Sequence, residues 1–281
     1  MHRLLFRVGL GITLVFCLVA VLTPLLIRSG WLYDPNTFLD FPVHSPPSWS
    51  HWLGTDLQGH DVLARVLAGT GVALQVVLFS TVVSVTIGLP LGLWSGYSGG
   101  WLDRCLVFLM DAIYTIPSLL LSIAIAFVVG KGVGNAVIAL SVVYIPQYFR
   151  LFRNQTVSVK NELYIEAARS LGASQFWILW RYVLPNVLPS LPVLLSLNSA
   201  DAVLTLAGLG FLGLGVPPEI PEWGHDLKQA LDALSTGEPI WWTTFFPGLA
   251  ITLLVTGLSL VGEGLKVHGD RRREMHVSEG L

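Results

Sequence analysis

Six apolar runs, each near the length of a bilayer crossing, constrain this chain more than any other feature of its sequence. A helix needs about 20 mostly apolar residues to cross the hydrocarbon core of a membrane. Only 12% of the residues are charged, against about 25% in a soluble domain, so no large soluble domain fits. The pattern predicts an all-α, polytopic membrane protein with six transmembrane helices. The runs lie at about 8–27, 72–94, 106–129, 133–149, 187–211 and 243–261.

The first run follows Arg3 and Arg7 and resembles a signal peptide. Its uncharged stretch, 8–27, is too long for a signal core, and no clear small-x-small cleavage site follows it. We therefore predict that residues 1–28 form a retained N-terminal transmembrane helix.

Residues 29–70 are polar and rich in proline, which predicts an external loop. Within it, 61–67 has the pattern of a short helix lying at the surface. Tryptophan is enriched where proteins meet the membrane–water interface, so we expect interfacial contact at Trp31, Trp49 and Trp52.

The positions of the basic residues predict the orientation. Residues 71–266 would form the transmembrane core, interrupted by a polar loop at 150–186 and followed by a tail at 267–281. With the N-terminus in the cytoplasm, twelve of the sixteen Lys and Arg residues are cytoplasmic, as the positive-inside rule requires. Both termini and the 150–186 loop are then cytoplasmic. The twelve are Arg3, Arg7, Arg104, Arg150, Arg153, Lys160, Arg169, Arg181, Lys266, Arg271, Arg272 and Arg273.

The polar segment 161–185 has the pattern of ordered structure. Asn161 is a good helix N-cap, and Gly172 is placed to end that helix in a left-handed conformation. The spacing predicts one shared face for Leu163, Ala167 and Leu171.

A second helix can follow, with Ser174 as its cap and Pro185 at its end. Two short helices between membrane spans predict a rigid protrusion, on which the small Ala167 and Ala168 would let another surface approach closely. An amphipathic hairpin at the membrane surface without a partner is the alternative.

Histidine and cysteine give no convincing ligand pattern. Either a solvated loop or hydrogen-bonding histidines are favoured over a metal site for His44, His51 and His60 with Asp56 or Asp61. Cys17 and Cys105 lie in or beside apolar runs, which favours packing as small apolar groups over a disulfide.

Two acidic residues, Asp111 and Asp201, lie within apolar runs. A charged side chain is costly in lipid and indicates a polar pathway or a buried partner. For Asp201 both hypotheses stay open: it lines a pathway, or it pairs with Asn198 or a neighbouring subunit. Asp111 is near the cytoplasmic end of its run, which favours a structural role.

Motifs for catalysis are absent from the sequence. It has no G-x-x-x-x-G-K-[ST], G-x-S-x-G, H-E-x-x-H or paired-cysteine pattern, which excludes Walker-type nucleotide binding and disfavours a membrane-embedded enzyme. A self-sufficient six-span secondary transporter or channel is a further alternative. It predicts an inverted repeat and several intramembrane charges, and the sequence has no convincing repeat and few such charges.

One motif resembles a known family. Glu166-Ala167-Ala168, then Gly172 after three residues, then a helix ending at Leu184-Pro185, resembles the EAA loop of ABC importer permeases. Further stretches make residues 50–266 similar to the C-type permease subunits of dipeptide, oligopeptide and nickel importers. They are Leu53-Gly54-Thr55-Asp56, Gly88-x-Pro90-Leu91-Gly92, Gly96-Tyr97, Phe211-Leu212-Gly213-Leu214-Gly215 and Trp223-Gly224.

The sequence also departs from that family pattern at three positions. Tyr182 stands where isoleucine is frequent, His60 where arginine is usual, and Leu206 where relatives often carry glutamate. These departures bear on the substrate more than on the class of transporter.

The resemblance implies a permease subunit of the bacterial inner membrane with no catalytic residue, cofactor or metal of its own. Two permease chains would form the path for a peptide, nickel or a similar small solute. Two separate ABC ATPase subunits would bind beneath, and an extracytoplasmic binding protein would deliver the substrate. The second permease is expected to be a different, homologous chain. Membrane lipid would surround the assembly, and no nucleic acid is expected.

The resemblance also assigns residue roles. The helix at 162–171 would sit in a groove of the ATPase, Gly172 would set the angle to the next helix, and Glu166 would pair with the ATPase or cap the local fold. The expected coupling residues are Glu162, Glu166, Ala167, Ala168, Arg169, Gly172, Ala173 and Pro185. The candidate pathway residues are Asn198 and Asp201.

Overall fold

The computed structural model describes residues 2–37, 41–233 and 240–278. Within these ranges the regular structure is helical, which confirms the all-α architecture. The α-helices are α1 His2–Arg28, α2 Val62–Ser98, α3 Gly100–Tyr114, α4 Ser118–Val129, α5 Val133–Val159, α6 Leu163–Ser170, α7 Gln175–Ile178, α8 Leu184–Val187, α9 Leu191–Phe211, α10 Trp223–Ala233 and α11 Trp241–Ser278.

Among the described residues, five helical stretches are long and apolar enough to cross a membrane, and a sixth crossing arises if α3 and α4 count together. These two helices are bent by 92° relative to each other. The predicted span at 106–129 is therefore a broken pair. The break lies at Pro117, whose ring removes a backbone donor, whereas Asp111 lies inside α3 without interrupting it.

The prediction of a separate surface helix at 61–67 is wrong, because these residues form the N-cap and the first turns of α2. Asp61 caps this helix, with its Oδ1 accepting a hydrogen bond from the Ala64 backbone N–H at 2.8 Å. Gly69 and Gly71 follow without ending it. At Gly69 the missing side chain makes room for Trp223, whose indole nitrogen would lie 2.8 Å from a Cβ there.

Three other boundaries differ from the sequence prediction. Helix α5 continues to Val159, so the polar loop expected from residue 150 begins ten residues later. The second helix, predicted to end at Pro185, instead continues through further helical turns as far as α9. Helix α11 continues to Ser278, so the expected tail is helical up to that residue. Residues 279–281 of the tail and 234–239 of the loop before α11 lie outside the described residues.

Helices α2 and α5 form the most extensive helix pair. Gly88, Gly92 and Gly96 recur at one-turn spacing on the α2 face that meets α5. A Cβ at each would approach α5 to between 2.6 and 2.8 Å, so no larger residue fits. Small residues at such spacing let two membrane helices pack backbone to backbone.

Candidate coupling and translocation sites

Helix α6 is anchored to the rest of the chain by one buried face. Ile165 is fully buried and Ala168 is 8% exposed. Both belong to the main apolar cluster, together with the buried Ile178 and Val183 of the following segment. The protrusion predicted between the spans is therefore packed onto the helical core.

The opposite face of α6 is apolar and exposed. Leu163 is 81% exposed and Leu171, just after the helix, is 89% exposed, with the exposed Ala167 between them. Large apolar side chains grouped at a surface indicate an interaction site rather than a solvated face.

The ends of α6 confirm one predicted cap and correct another. Gly172 has φ +86°, the left-handed conformation predicted to end the helix. The N-cap, however, is Glu162, whose side chain makes no capping hydrogen bond. Asn161 lies one residue earlier, and its Nδ2 donates to the Val157 carbonyl oxygen at 3.1 Å.

The second helix of the protrusion starts as predicted but is irregular. Ser174 Oγ accepts a hydrogen bond from the Trp177 backbone N–H at 3.3 Å. After α7 the chain forms a π turn at Leu179–Val183, then α8 and a 3₁₀ turn at Leu188–Ser190. Pro185 lies inside α8 rather than at its end, because a proline in the first turn of a helix costs no hydrogen bond.

Three basic residues tie this region to the corner between α2 and α3. Lys160 Nζ donates to the Gly96 carbonyl oxygen at 2.7 Å, and the Arg169 guanidinium lies 5.7 Å from the centre of the Tyr97 ring. Arg153 forms a two-pronged ion pair with Asp103, at 2.6 and 2.7 Å.

The remaining predicted coupling residues lie in or next to α6 and the turn at Gly172 that follows it. Glu162 and Glu166 are exposed, and Ala173 is partly buried. The Glu166 carboxylate makes no hydrogen bond or ion pair within the described ranges, so the hypothesis that it caps the local fold has no contact to support it. A shallow depression beside the turn is lined by Ala168, Leu171, Gly172, Ala173, Ser174, Trp177 and Tyr182.

The two pathway candidates lie in a polar seam between α5 and α9, which we define as Tyr144, Tyr148, Asn198, Asp201 and Thr205. Tyr144 Oη donates to Asp201 Oδ2 at 2.8 Å and lies 3.3 Å from Thr205 Oγ1. Tyr148 lies close to Asn198. Asp201 therefore bonds to Tyr144 of α5 rather than to Asn198, the intrachain partner expected from sequence.

Sequence reasoning missed the α5 half of this seam. Tyr144 and Tyr148 are one helical turn apart and face residues at least 50 positions later in the chain. Their four-residue spacing in the mostly apolar first part of α5 is the pattern that could have indicated a polar stripe. Leu206, where relatives often carry glutamate, is 1% exposed and belongs to the apolar cluster.

Asp111 does not belong to the polar seam. It is exposed and lies 3.8 Å from Arg150 Nε, also exposed. Asp111 thus has a charged partner within the chain, but exposed pairs contribute little to stability, so its structural role stays a prediction.

The histidines of the 29–70 loop form buried pairs with aspartates. His51 Nδ1 lies 2.9 Å from Asp61 Oδ2, and His60 Nδ1 lies 2.9 Å from Asp56 Oδ2. The hydrogen-bonding interpretation is confirmed, but the solvated one is wrong, because His51 and His60 are 6% and 5% exposed. Burial alone would raise the pKa of Asp56, but the His60 hydrogen bond and charge hold it below the usual value.

These pairs continue into α10 through Arg65. Arg65 is 2% exposed, and its Nε and Nη2 donate to Asp226 Oδ1 at 2.8 and 2.7 Å. Burial raises the pKa of Asp226 despite the arginine. We call this group the cap cluster, since it surrounds the N-terminus of α2; its members are His51, Asp56, His60, Asp61, Arg65 and Asp226.

Glu222 lies beside the cap cluster, at the start of α10. Its two carboxylate oxygens accept hydrogen bonds from the Gly224 and His225 backbone N–H groups at 2.8 and 2.9 Å. Burial nevertheless raises its pKa to about 8, although those two hydrogen bonds lower it.

The sequence comparisons identify the family. Residues 88–275 match the family described as binding-protein-dependent transport system inner membrane component, and this range contains α6 and the polar seam. The chain belongs to this family. It is thus the permease subunit of an ATP-driven ABC importer and a multi-pass inner-membrane protein.

Individual relatives agree with that assignment. The chain is 39% identical to the glutathione transport system permease protein GsiD of Pectobacterium atrosepticum, over 83% of this chain and 77% of the relative. It is 36% identical to the dipeptide transport system permease protein DppC of Alkalihalophilus pseudofirmus, over 92% of this chain and 83% of the relative.

A solved structure shares the fold. A chain of the inward-facing methionine ABC transporter MetNI matches with TM-score 0.55 and 22% identity, covering 72% of this chain and 93% of that one. At this identity the likeness concerns the fold alone.

Family membership has consequences for how the chain works. An importer permease works with separate ATPase subunits and a substrate-binding protein, and it carries no ATPase site of its own. The self-sufficient transporter or channel is therefore not favoured.

Proposed function

We propose that this chain forms half of the path of a peptide importer and docks an ABC ATPase through α6. The main support for the proposal is the difference between two faces of α6. The face with Ile165 is buried, whereas the face with Leu163 and Leu171 is exposed. A helix fixed on one side and apolar on the other can transmit a push from a partner into the helical core.

The residue roles follow from their positions. Ala167 lies on the exposed face, where a small side chain permits close approach, whereas Ala168 packs inward. Arg169 would carry movement to α2 through Tyr97, and Gly172 holds the turn to the next helix. Glu162 and Glu166 are exposed charges that can pair with basic groups of the ATPase. Ala173 and Pro185 belong to the turn and to the second helix that support α6.

The orientation follows from charge. We place both termini and α6 in the cytoplasm, because that arrangement puts twelve of the sixteen Lys and Arg residues inside. The cap cluster then lies on the outer side, where a binding protein would dock.

The assembly would contain a second, homologous permease chain and two ATPases. One chain exposes extensive apolar surface along its helices, including Phe127 at 72% and Val128 at 86%, and another permease chain could cover part of it. The named substrates of the relatives, glutathione and dipeptides, favour a peptide over nickel as the solute.

Purification from the native host tests the assembly. A tagged chain extracted in mild detergent should bring down a P-loop ATPase, a second permease and a binding protein, identified by mass spectrometry. A chain that stays alone even after mild crosslinking in membranes would contradict the proposal.

A bulky substitution tests the role of α6. Ala167→Trp should lower uptake at least tenfold and reduce ATPase co-purification, while membrane insertion and protein level stay normal, because it adds bulk on the docking face alone. The matched control is Ser158→Trp, at an exposed position of α5 outside α6, which should keep at least half of the uptake. Equal uptake by the two variants would contradict the assignment of α6 as the docking helix.

A further inference from the structure

The polar seam places a carboxylate in the middle of a membrane helix. Asp201 is ten residues from each end of α9, hence about 15 Å from either end. The side chain is partly exposed, and the residues one turn away on its face, Leu197 and Leu204, are 42% and 50% exposed. A carboxylate on such a face does not tolerate lipid and needs a polar pathway or a charged partner.

The contacts of Asp201 leave its charge without a cation. Its Oδ2 accepts one hydrogen bond, from the neutral hydroxyl of Tyr144. No Lys, Arg or His of the described residues forms an ion pair with it at 4.0 Å or less. The bond to Tyr144 fixes the orientation of the carboxylate but does not neutralise it.

Two further polar groups of the seam, one turn away, are incompletely hydrogen-bonded. Tyr148 is fully buried and Asn198 is 5% exposed. Tyr148 lies close to Asn198 and to Thr81, but within the described ranges neither Tyr148 Oη nor Asn198 Nδ2 makes a hydrogen bond of normal geometry. Buried polar groups are nearly always satisfied, so these two have unused capacity for a polar ligand.

We propose that Asp201 binds the primary ammonium group of the transported solute, and that Asn198 and Tyr148 meet the polar backbone groups that follow it. The proposal rests on the proposed function and adds the chemical class of substrate, a solute with a free amino group. Tyr144 acts as a positioning residue that holds the carboxylate.

The dimensions of the seam suit a short peptide. Asn198 and Asp201 are three residues apart, about 4.5 Å along the helix axis. An extended peptide advances by about 3.5 Å per residue, so an ammonium at Asp201 brings the next peptide group near Asn198. A divalent metal, by contrast, prefers several anionic or imidazole ligands, and the seam offers one carboxylate.

The test measures uptake in host cells that carry each variant in place of the parent chain. The probes are L-alanyl-L-alanine and glutathione, their N-acetyl derivatives, and Ni²⁺. The ratio of variant to parent rate is taken for each solute, because it cancels selection by the external binding protein. Asp201→Asn keeps an oxygen that can accept the Tyr144 hydrogen bond and removes only the charge.

We expect Asp201→Asn to lower uptake of the free-amine solutes at least tenfold while Asp201→Glu retains more. Tyr144→Phe should raise KM more than it lowers the maximal rate. An N-acetyl derivative that the parent transports should be affected less than twofold by Asp201→Asn. The control Asp111→Asn changes another carboxylate within an apolar run and should keep at least half of the uptake.

Several outcomes would overturn the proposal. Asp201→Asn would contradict it by leaving uptake of the free-amine solutes unchanged, or by lowering uptake of a solute and its N-acetyl derivative equally. Loss of the co-purifying subunits in Asp201→Asn would also contradict it. So would a parent chain that transports only Ni²⁺ or solutes without an amino group. Absence of an ATPase from the parent complex would instead contradict the proposed function, so the two failures are distinguishable.

Discussion

The two ends of α2 differ in the side chains that surround them. At its N-terminus, the cap cluster buries charged and imidazole groups against one another within a single chain. Near its C-terminus, Tyr97 and Gly96 support α6, whose outer face carries large apolar side chains exposed to solvent. The first end pairs most of its charged groups within the chain, whereas the second leaves an apolar face that we propose a partner covers. Under that proposal, the contrast distinguishes residues that hold the fold from residues that serve a partner.

The largest effect should come from breaking the cap cluster. Arg65→Met leaves the Asp226 carboxylate buried without its cation, and removing one partner of a buried pair costs about 3–5 kcal/mol. Thermal unfolding of the purified complex should show this as a large fall in Tm. The double variant Arg65→Met/Asp226→Leu should recover much of the loss, and a double variant as unstable as the single one would contradict the explanation.

At the other end of α2, the buried and exposed faces of α6 should respond differently to truncation. Ile165→Ala removes a fully buried side chain and should cost about 2–4 kcal/mol, visible as faster hydrogen exchange across α6. Leu163→Ala, on the exposed face, should change stability by about 0.5 kcal/mol or less. Comparable exchange in the two variants would mean that α6 is not anchored by Ile165.

A pH series sharpens the comparison at the N-terminal end of α2. Burial raises the pKa of Glu222 to about 8, so between its usual value of 4.5 and about 8 the folded protein holds a proton that the unfolded chain has lost. Stability should therefore fall as pH rises through this window, by about 2 kcal/mol from pH 6 to pH 8. Glu222→Gln should flatten the dependence of Tm on pH, and the exposed Glu219→Gln should not.

The smallest effect is expected at the corner that supports α6. Asp103→Asn weakens a partly exposed ion pair with Arg153 and should lower stability by about 1 kcal/mol. High salt should reduce the difference between variant and parent. A loss several times larger would show that this corner resembles the cap cluster more than a surface pair.

Local rules predicted the local features of this molecule. Gly172 and Ser174 act within a few residues of their own positions, so their spacing was enough to predict a left-handed turn and a helix cap. The six apolar runs likewise predicted the helical membrane architecture, because bilayer thickness fixes their length.

Features that depend on distant contacts were not predictable. Residues 61–67 were predicted as a separate surface helix, whereas they begin α2, and the packing of Trp223 on Gly69 joins residues over 150 positions apart. Tyr144 became part of the candidate site only when α5 and α9 were adjacent. For His51 and His60 the sequence left a solvated loop and hydrogen bonding both open, because their aspartate partners, which allow burial, could not be assigned from spacing alone.

The glycine face between α2 and α5 has a mechanical consequence. Because no side chain separates the two backbones at Gly88, Gly92 and Gly96, we expect sliding of one helix past the other to produce clashes, so that the two helices tilt together. Helix α2 has 37 residues and is therefore about 55 Å long. A tilt of about 5° around one end displaces the other by about 5 Å, close to one helical pitch. A small rotation imposed at one end of α2 thus produces a large displacement at its other end, across the membrane.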